Sequence, residues 1–208
     1  PEKKLTVINA RGTAKDYSLN VTATKWDIQD IKGIPQKKVT PSAADLKEIG
    51  RERGDLKKAL ADKLNKNYWE KSFVIPVKGR ISGHFGGQRI MNGRKMNPHQ
   101  GTDIAAPEGT PVKAASNGIV RLSGGNYFYS GNTVVIDHGH RLFTIYAHLK
   151  KASVKPGDYV RQGQVIGEVG KTGRVTGPHL HWGASLNGVR FTPESLLHMN
   201  NADFCFNL

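Results

Sequence analysis

Hydrophobic and polar positions follow different rhythms in different parts of the chain, with changes near residue 42 and again near residue 73. Over residues 3–40, runs such as Leu5-Thr6-Val7-Ile8 and Tyr17-Ser18-Leu19-Asn20-Val21-Thr22 alternate and are rich in β-branched side chains, which predicts short strands. Gly33-Ile34-Pro35 predicts a turn. Thr40-Pro41-Ser42 then opens a different pattern. Ser42 with Asp45 three residues on resembles a helix capping box. Residues 43–65 are rich in Lys, Glu, Asp, Leu and Ala, and Leu46, Leu56, Leu60 and Leu64 recur near helical spacing. Gly50 and Gly54 each weaken a helix by about 1 kcal/mol relative to alanine, so a kink or break is expected there. Residues 65–72 read as a linker.

From Phe73 onward, glycines and prolines punctuate short β-prone runs at 111–114, 118–122, 133–137 and 142–147, followed by a turn-rich stretch at 154–167. Strands at this spacing, without long helices between them, predict an antiparallel all-β domain. The expected architecture is therefore mainly β. It comprises a small β-rich amino-terminal domain (residues 1–41), a helical connector and linker (42–72), and an antiparallel β-sheet domain (73–208).

Composition narrows the function classes. The chain has 208 residues and a formal net charge of +14. Residues 1–70 hold 15 basic and 10 acidic side chains and the remainder 16 and 7, so both parts are basic. A basic surface favours polyanionic partners. The basic residues are scattered and no RNA- or DNA-binding motif is present, which points away from nucleic acid; an anionic cell envelope and a bland role in solubility and weak nonspecific attraction both stay open. No stretch reaches the roughly 18 apolar residues of a membrane helix. The single cysteine, Cys205, excludes an intramolecular disulfide and a cysteine-rich zinc site. The chain starts at Pro1, which suggests a trimmed form with a leader or anchor upstream.

The chemistry lies in histidines. His99-x-x-x-Asp103 and His179-Leu180-His181 together give the pattern of a zinc site with two imidazoles and one carboxylate, plus a spare imidazole. Three protein ligands leave a fourth position for water, the mark of a catalytic rather than a structural site. Pro178 disfavours helix before the late pair, and on a strand His179 and His181 share a face while Leu180 points into packing. Asp103 falls within the β-like run Thr102-Asp103-Ile104-Ala105, where a carboxylate is costly unless paired or bound to a cation. His138-Gly139-His140 is a rival, but it sits between two strand runs and reads as a hairpin turn with exposed side chains. His84 and His198 read as non-ligands. No H-E-x-x-H supplies a glutamate base, so a histidine must do the proton work, with His148 and His179 the candidates.

His99-Gln100-Gly101-Thr102-Asp103-Ile104-Ala105-Ala106-Pro107, Tyr146-Ala147-His148-Leu149 and Thr176-Gly177-Pro178-His179-Leu180-His181-Trp182 resemble, in order, the three motifs of the lysostaphin-type zinc endopeptidases, which cleave peptide bonds in peptidoglycan. The resemblance spans roughly residues 73–197 and takes in Gly86-Gly87-Gln88-Arg89. Residues 3–65 more weakly resemble the β-rich region preceding this domain in some Gram-negative members. The resemblance implies one Zn2+ per chain held by His99, Asp103 and His181, with His148 and His179 as the catalytic pair. One of the pair would accept the proton of the attacking water and the other would hydrogen-bond the oxyanion. It further implies peptidoglycan as substrate, D-alanyl–diaminopimelate cross-links as the bond with glycine bridges as the alternative, and action in the periplasm or cell envelope after export.

Two other classes remain. A noncatalytic regulator that binds the wall or an amidase would keep the fold without the ligands, and none of the five positions is substituted. A biotinyl- or lipoyl-type carrier matches the cadence of residues 154–167, yet no lysine stands at a suitable hairpin tip. The glycines at 163, 167, 170 and 173 lack the following Lys-Ser/Thr of a phosphate loop and read as turn and bulge glycines.

Overall fold

The computed structural model describes residues 2–8, 11–61 and 64–199. Cys205 lies outside them. The alternating amino-terminal runs form an antiparallel hairpin of β1 (Glu2–Ile8) and β2 (Ala14–Asn20). Its side chains are nearly all exposed. The next strand, β3 (Ile28–Ile31), is followed by a one-turn helix α1 (Gln36–Val39) that alternation did not predict.

Helix α2 (Ala43–Ala59) starts at a full capping box: the Asp45 N–H donates to Ser42 Oγ, and the Ser42 N–H donates to the Asp45 carboxylate. The expected break is absent, because α2 runs unbroken through Gly50 and Gly54. Neither glycine would place a Cβ within 4 Å of another group, and packing of Ile49 and Ala59 offsets the propensity cost. Of the four leucines, Leu46 is exposed, and the buried stripe runs through Ile49, Glu52 and Ala59 instead.

The remaining strands are β4 (Arg80–Gly83), β5 (Gln88–Met91), β6 (Arg94–Lys95), β7 (Thr102–Ala105), β8 (Pro111–Lys113), β9 (Gly118–Tyr127), β10 (Gly131–Asp137), β11 (Leu142–Ala152), β12 (Tyr159–Val160), β13 (Val165–Val169), β14 (His179–Leu186) and β15 (Val189–Phe191). A 3-10 turn follows at Pro193–His198. The fold is mainly β, as expected. Its main sheet has ten strands along the path β12-β9-β10-β11-β14-β7-β4, with β13, β8 and β15 attached, and all its pairs are antiparallel. The exception to antiparallel pairing is outside that sheet: β3 pairs parallel with β5, so a piece of the amino-terminal region is stitched to the carboxy-terminal part.

Strands β10 and β11 read as near-continuous apolar runs because both their faces are covered. Val134, Ile136 and Tyr146 join the main core with Ile104, Leu180 and Trp182. Val135, Phe143 and Ile145 face the other way, onto Ala59, Leu56 and Leu60 at the end of α2. In the linker-like stretch, Trp69 is buried in the main core, and the Tyr68 N–H donates to the His138 carbonyl.

The 137–140 hairpin does not expose its side chains as expected. Asp137 and His138 are fully buried. Asp137 accepts from Arg121 and from the Gly139 N–H, and His138 bonds the Asn117 carbonyl and the Thr144 hydroxyl. Satisfied partners make this burial tolerable; His140 alone of the turn stays exposed.

Candidate metal centre

Sheet register brings the late histidines to the early aspartate. In the β14–β7 ladder His181 stands directly opposite Asp103, and in the β11–β14 ladder Ala147 stands opposite His181. These residues share the sheet face that α2 covers further along, while Leu180 and Ile104 point into the main core. The period of two thus puts His179 and His181 on one side, as the sequence predicts.

His99 reaches the same point from the loop before β7. Its Nδ1–H donates to the His84 carbonyl at 3.0 Å, which leaves the Nε2 lone pair aimed at the cluster. His99 Nε2 lies 2.9 Å from His181 Nδ1 and 3.1 Å from Asp103 Oδ1, and His181 Nδ1 lies 2.9 Å from the same oxygen. Asp103 and His99 are buried, at 4% and 5% exposure.

Three acceptor atoms thus converge at mutual distances close to the ~3.3 Å edge of a tetrahedron with ligand bonds of about 2.0–2.1 Å. Apart from these mutual contacts, protons satisfy such a cluster poorly, since His99 has already committed its N–H elsewhere; a cation satisfies all three at once. Two nitrogens and one oxygen suit a first-row transition-metal ion, and zinc fits this donor set. Among the described residues, His99, Asp103 and His181 are the group of histidines and carboxylates arranged to hold a metal ion.

Electrostatics agree with ligands held ready. Burial alone would raise the Asp103 pKa, but the adjacent His181 and His99 outweigh it and hold the carboxyl well below the usual range. Burial pushes the His181 imidazole down to about 4, against the opposing pull of Asp103. Both are in the deprotonated form a metal requires.

The second pair of imidazoles lies beside the first. The His148 and His179 rings are 4.8 Å apart, and His148 is 5.9 Å from His181. The Nδ1–H of His148 donates to the Thr172 carbonyl and that of His179 to the Gly177 carbonyl, each at 2.9 Å, so both rings present Nε2 to the site. Burial, with the neighbouring His179 and His181, drives the His148 pKa well below its ordinary value.

His148 adopts φ +64° in the middle of β11. Ala147 and His148 together oppose Thr133 at a register shift, a β-bulge that turns the imidazole toward the site. A non-glycine residue in this left-handed region costs about 1–2 kcal/mol. The cost is offset locally, as the His148 N–H donates to the Ser130 carbonyl at 2.8 Å.

Two arginines complete the surroundings. Arg89, in the Gly86-Gly87-Gln88-Arg89 segment, ion-pairs with Asp103 Oδ2 and donates through Nε to Gln29 Oε1 at 3.2 Å. Arg174 lies in the loop before β14 with its guanidinium 4.3 Å from the Tyr129 ring centre. No periodicity or composition signal distinguishes either from the other basic residues. A groove of about 540 Å3 opens beside His99, His148 and His181, walled on its far side by Val39, Pro41 and Leu46 of the helical segment. His84 supplies only its backbone carbonyl, and His198 is exposed and apart from the cluster.

Comparison with known proteins places these features in context. The profile of peptidase family M23 matches residues 97–193. The peptidoglycan DD-endopeptidase ShyC of Vibrio cholerae is 38% identical over 148 residues, covering 66% of this chain and 34% of that protein. The DD-carboxypeptidase/endopeptidase Mpg of Neisseria meningitidis is 45% identical over 120 residues, covering 58% of this chain and 27% of that protein. The chain therefore spans about a third or less of the length of these curated relatives. Among solved structures, a putative peptidase M23 from Pseudomonas aeruginosa superposes with a TM-score of 0.72 at 35% identity, covering 94% of this chain and 73% of that one.

Proposed function

Because this chain belongs to peptidase family M23, we propose that it is a zinc-dependent endopeptidase that hydrolyses peptide cross-links of peptidoglycan. His99, Asp103 and His181 hold the ion. The observation that carries this reading is the convergence of His99 Nε2, Asp103 Oδ1 and His181 Nδ1 within 2.9–3.1 Å, with two further imidazoles presenting Nε2 alongside.

When bound, the metal supplies Lewis acidity at the scissile carbonyl. The chain's own groups do the rest. Burial keeps His148 neutral, and the Thr172 and Gly177 carbonyls fix both free imidazoles in the tautomer with an Nε2 lone pair facing the groove. One imidazole of the pair accepts the proton of the attacking water on Nε2 and delivers it to the leaving amine; the other hydrogen-bonds the oxyanion once it is protonated and has an Nε2–H to donate. A preorganised donor of that kind is worth about 2.7–4 kcal/mol.

The bond cut is the D-alanyl–diaminopimelate cross-link. The relatives named DD-endopeptidase and DD-carboxypeptidase/endopeptidase support this over a glycine bridge. The substrate lies outside the cytoplasm, so the protein acts there. No helix among the described residues is long and apolar enough to cross a membrane. The basic groove and the net charge of +14 favour an anionic wall, with attraction that weakens as salt screens it.

The test is digestion of purified sacculi by the zinc-loaded protein, with mass spectrometry of the products. Monomeric muropeptides with a new diaminopimelate amine are expected. Full-speed cutting by metal-stripped protein, or wall binding without any cleavage, would overturn the reading; the latter outcome would favour a regulator.

A further inference from the structure

Arg174 is a half-buried cation without an acid among the described residues. Its guanidinium rests on the Tyr129 ring and makes one long contact, 3.5 Å, to the Lys38 carbonyl. Burial lowers its pKa, Tyr129 opposes that in part, and the nearby charge of Arg89 adds to the lowering. Arg89 has its own acidic partner in Asp103, whereas Arg174 meets no carboxylate among the described residues.

Its position is specific. Arg174 borders the groove that holds His99, His148 and His181, and also the adjoining recess that holds Asp103 and His179. The charged side chains lining the groove are Arg53, Arg89, Arg94, Lys95 and Arg174, with no carboxylate among them. A desolvated guanidinium stacked on an aromatic ring is preorganised for bidentate capture of a planar anion. Leaving such a charge unpaired in the free protein is costly unless a ligand completes it.

The proposed cross-link offers a planar anion at a fixed place. Its scissile nitrogen is attached to the D-centre of diaminopimelate, and that same carbon bears a free carboxylate. We propose that Arg174 binds the carboxylate of the residue on the nitrogen side of the scissile amide, and so selects bonds that have one. This deepens the function proposed above and rests on it. A glycine bridge has no free carboxylate at that position, so Arg174 would exclude it as a substrate.

The test uses the zinc-loaded chain and cross-linked muropeptide dimers in three forms: the free acid, a form amidated at the D-centre of diaminopimelate, and a form carrying isoglutamine in place of D-glutamate. The unaltered protein should cleave the free acid roughly 10- to 100-fold more efficiently than the diaminopimelate amide, the scale of a charge-assisted hydrogen bond at a desolvated site. The isoglutamine form should match the free acid. In Arg174→Gln the preference should collapse toward unity, chiefly through KM, and Arg174→Lys should keep part of it because it retains charge without the fork. Zinc content and thermal midpoint check that each variant is folded. Calorimetric binding of the free-acid and amidated leaving peptides to the unaltered protein reads the same preference without turnover. Equal handling of acid and amide by the unaltered protein, in cleavage or in binding, overturns the inference, as does a preference that survives in a folded Arg174→Gln or that follows the isoglutamine instead. Failure to cut any form while the binding preference holds would sink the proposed activity and leave the Arg174 subsite standing.

Discussion

Arg89 ion-pairs with Oδ2 of Asp103, the carboxylate oxygen that the His99 and His181 contacts leave free. The pairing divides the carboxylate: Oδ1 faces the two imidazoles and Oδ2 faces the guanidinium. Arg89 is itself tied to Gln29 in β3, so a strand far away in sequence orients a candidate metal ligand. There is little slack in this arrangement, since a Cβ on Gly83 would lie 2.9 Å from an Arg89 nitrogen and 3.1 Å from Asp103 Oδ2.

Loss of that support should weaken the metal without removing a ligand. Arg89→Gln is expected to lower zinc affinity roughly 10- to 100-fold, the usual effect of deleting a group that orients a ligand. Competition with a chromogenic chelator measures it. Unchanged affinity would show that Asp103 is held by its imidazole contacts alone.

The two free imidazoles should separate chemistry from metal binding. His148→Ala and His179→Ala are each expected to cut turnover by about 10²–10⁴, the range for general acid–base groups, while one zinc per chain is retained. Elemental analysis beside muropeptide kinetics gives both numbers. Zinc lost on His148→Ala would mean that a ligand has been mistaken for a proton carrier.

Gly101 tests close approach at the site. A Cβ there would meet the His181 ring at 2.7 Å and the Trp182 carbonyl at 2.6 Å. Neither can retreat cheaply, because Trp182 is fully buried and His181 lies in the central ladder. Gly101→Ala should destabilise the fold by about 1–3 kcal/mol, as overpacking does, and weaken zinc binding with it. Urea unfolding and chelator competition on the same preparation report the two effects; an unchanged zinc affinity would show that the ring has room to move.

Acid should destabilise the fold through a histidine outside the site. Burial lowers the His138 pKa from 6.5 to about 4. The unfolded chain therefore takes up a proton below about pH 6.5 that the folded chain refuses until about pH 4. The stability contributed by this group is complete above that window and is lost as pH falls through it, by an amount on the order of 3 kcal/mol. Urea unfolding of the unaltered chain and of His138→Asn at several pH values between 7 and 4.5 checks it. The variant should be less stable at neutral pH but lose less on acidification; parallel curves would refute the assignment.

Short-range pattern accounts for what was legible. The capping box at Ser42–Asp45, the strand at 179–186 and the shared face of His179 and His181, both of which meet His148, depend on neighbours within a few residues, and the structure contains each of them. The break expected at Gly50 and Gly54 does not occur, because packing of α2 on Phe143 and Ile145 outweighs a propensity cost of about 1 kcal/mol per glycine. The exposed reading of Asp137 and His138 failed for a similar reason. Their partners Arg121, Asn117 and Thr144 lie on other strands or loops, and a turn pattern carries no information about them.

The sequence by itself determined the mainly β character, the helix start, and the order of three motifs that hold five candidate site residues. Those features follow from period, turn chemistry and residue type, all of which are local. Only the tertiary structure decided that Asp103 faces His181 across a ladder, that a bulge at His148 turns its ring inward, and that Arg89 and Arg174 differ from the other basic residues. Register, bulges and the burial of a charge are set by segments remote in the chain, and an arginine acquires its role from the carboxylate it meets or fails to meet.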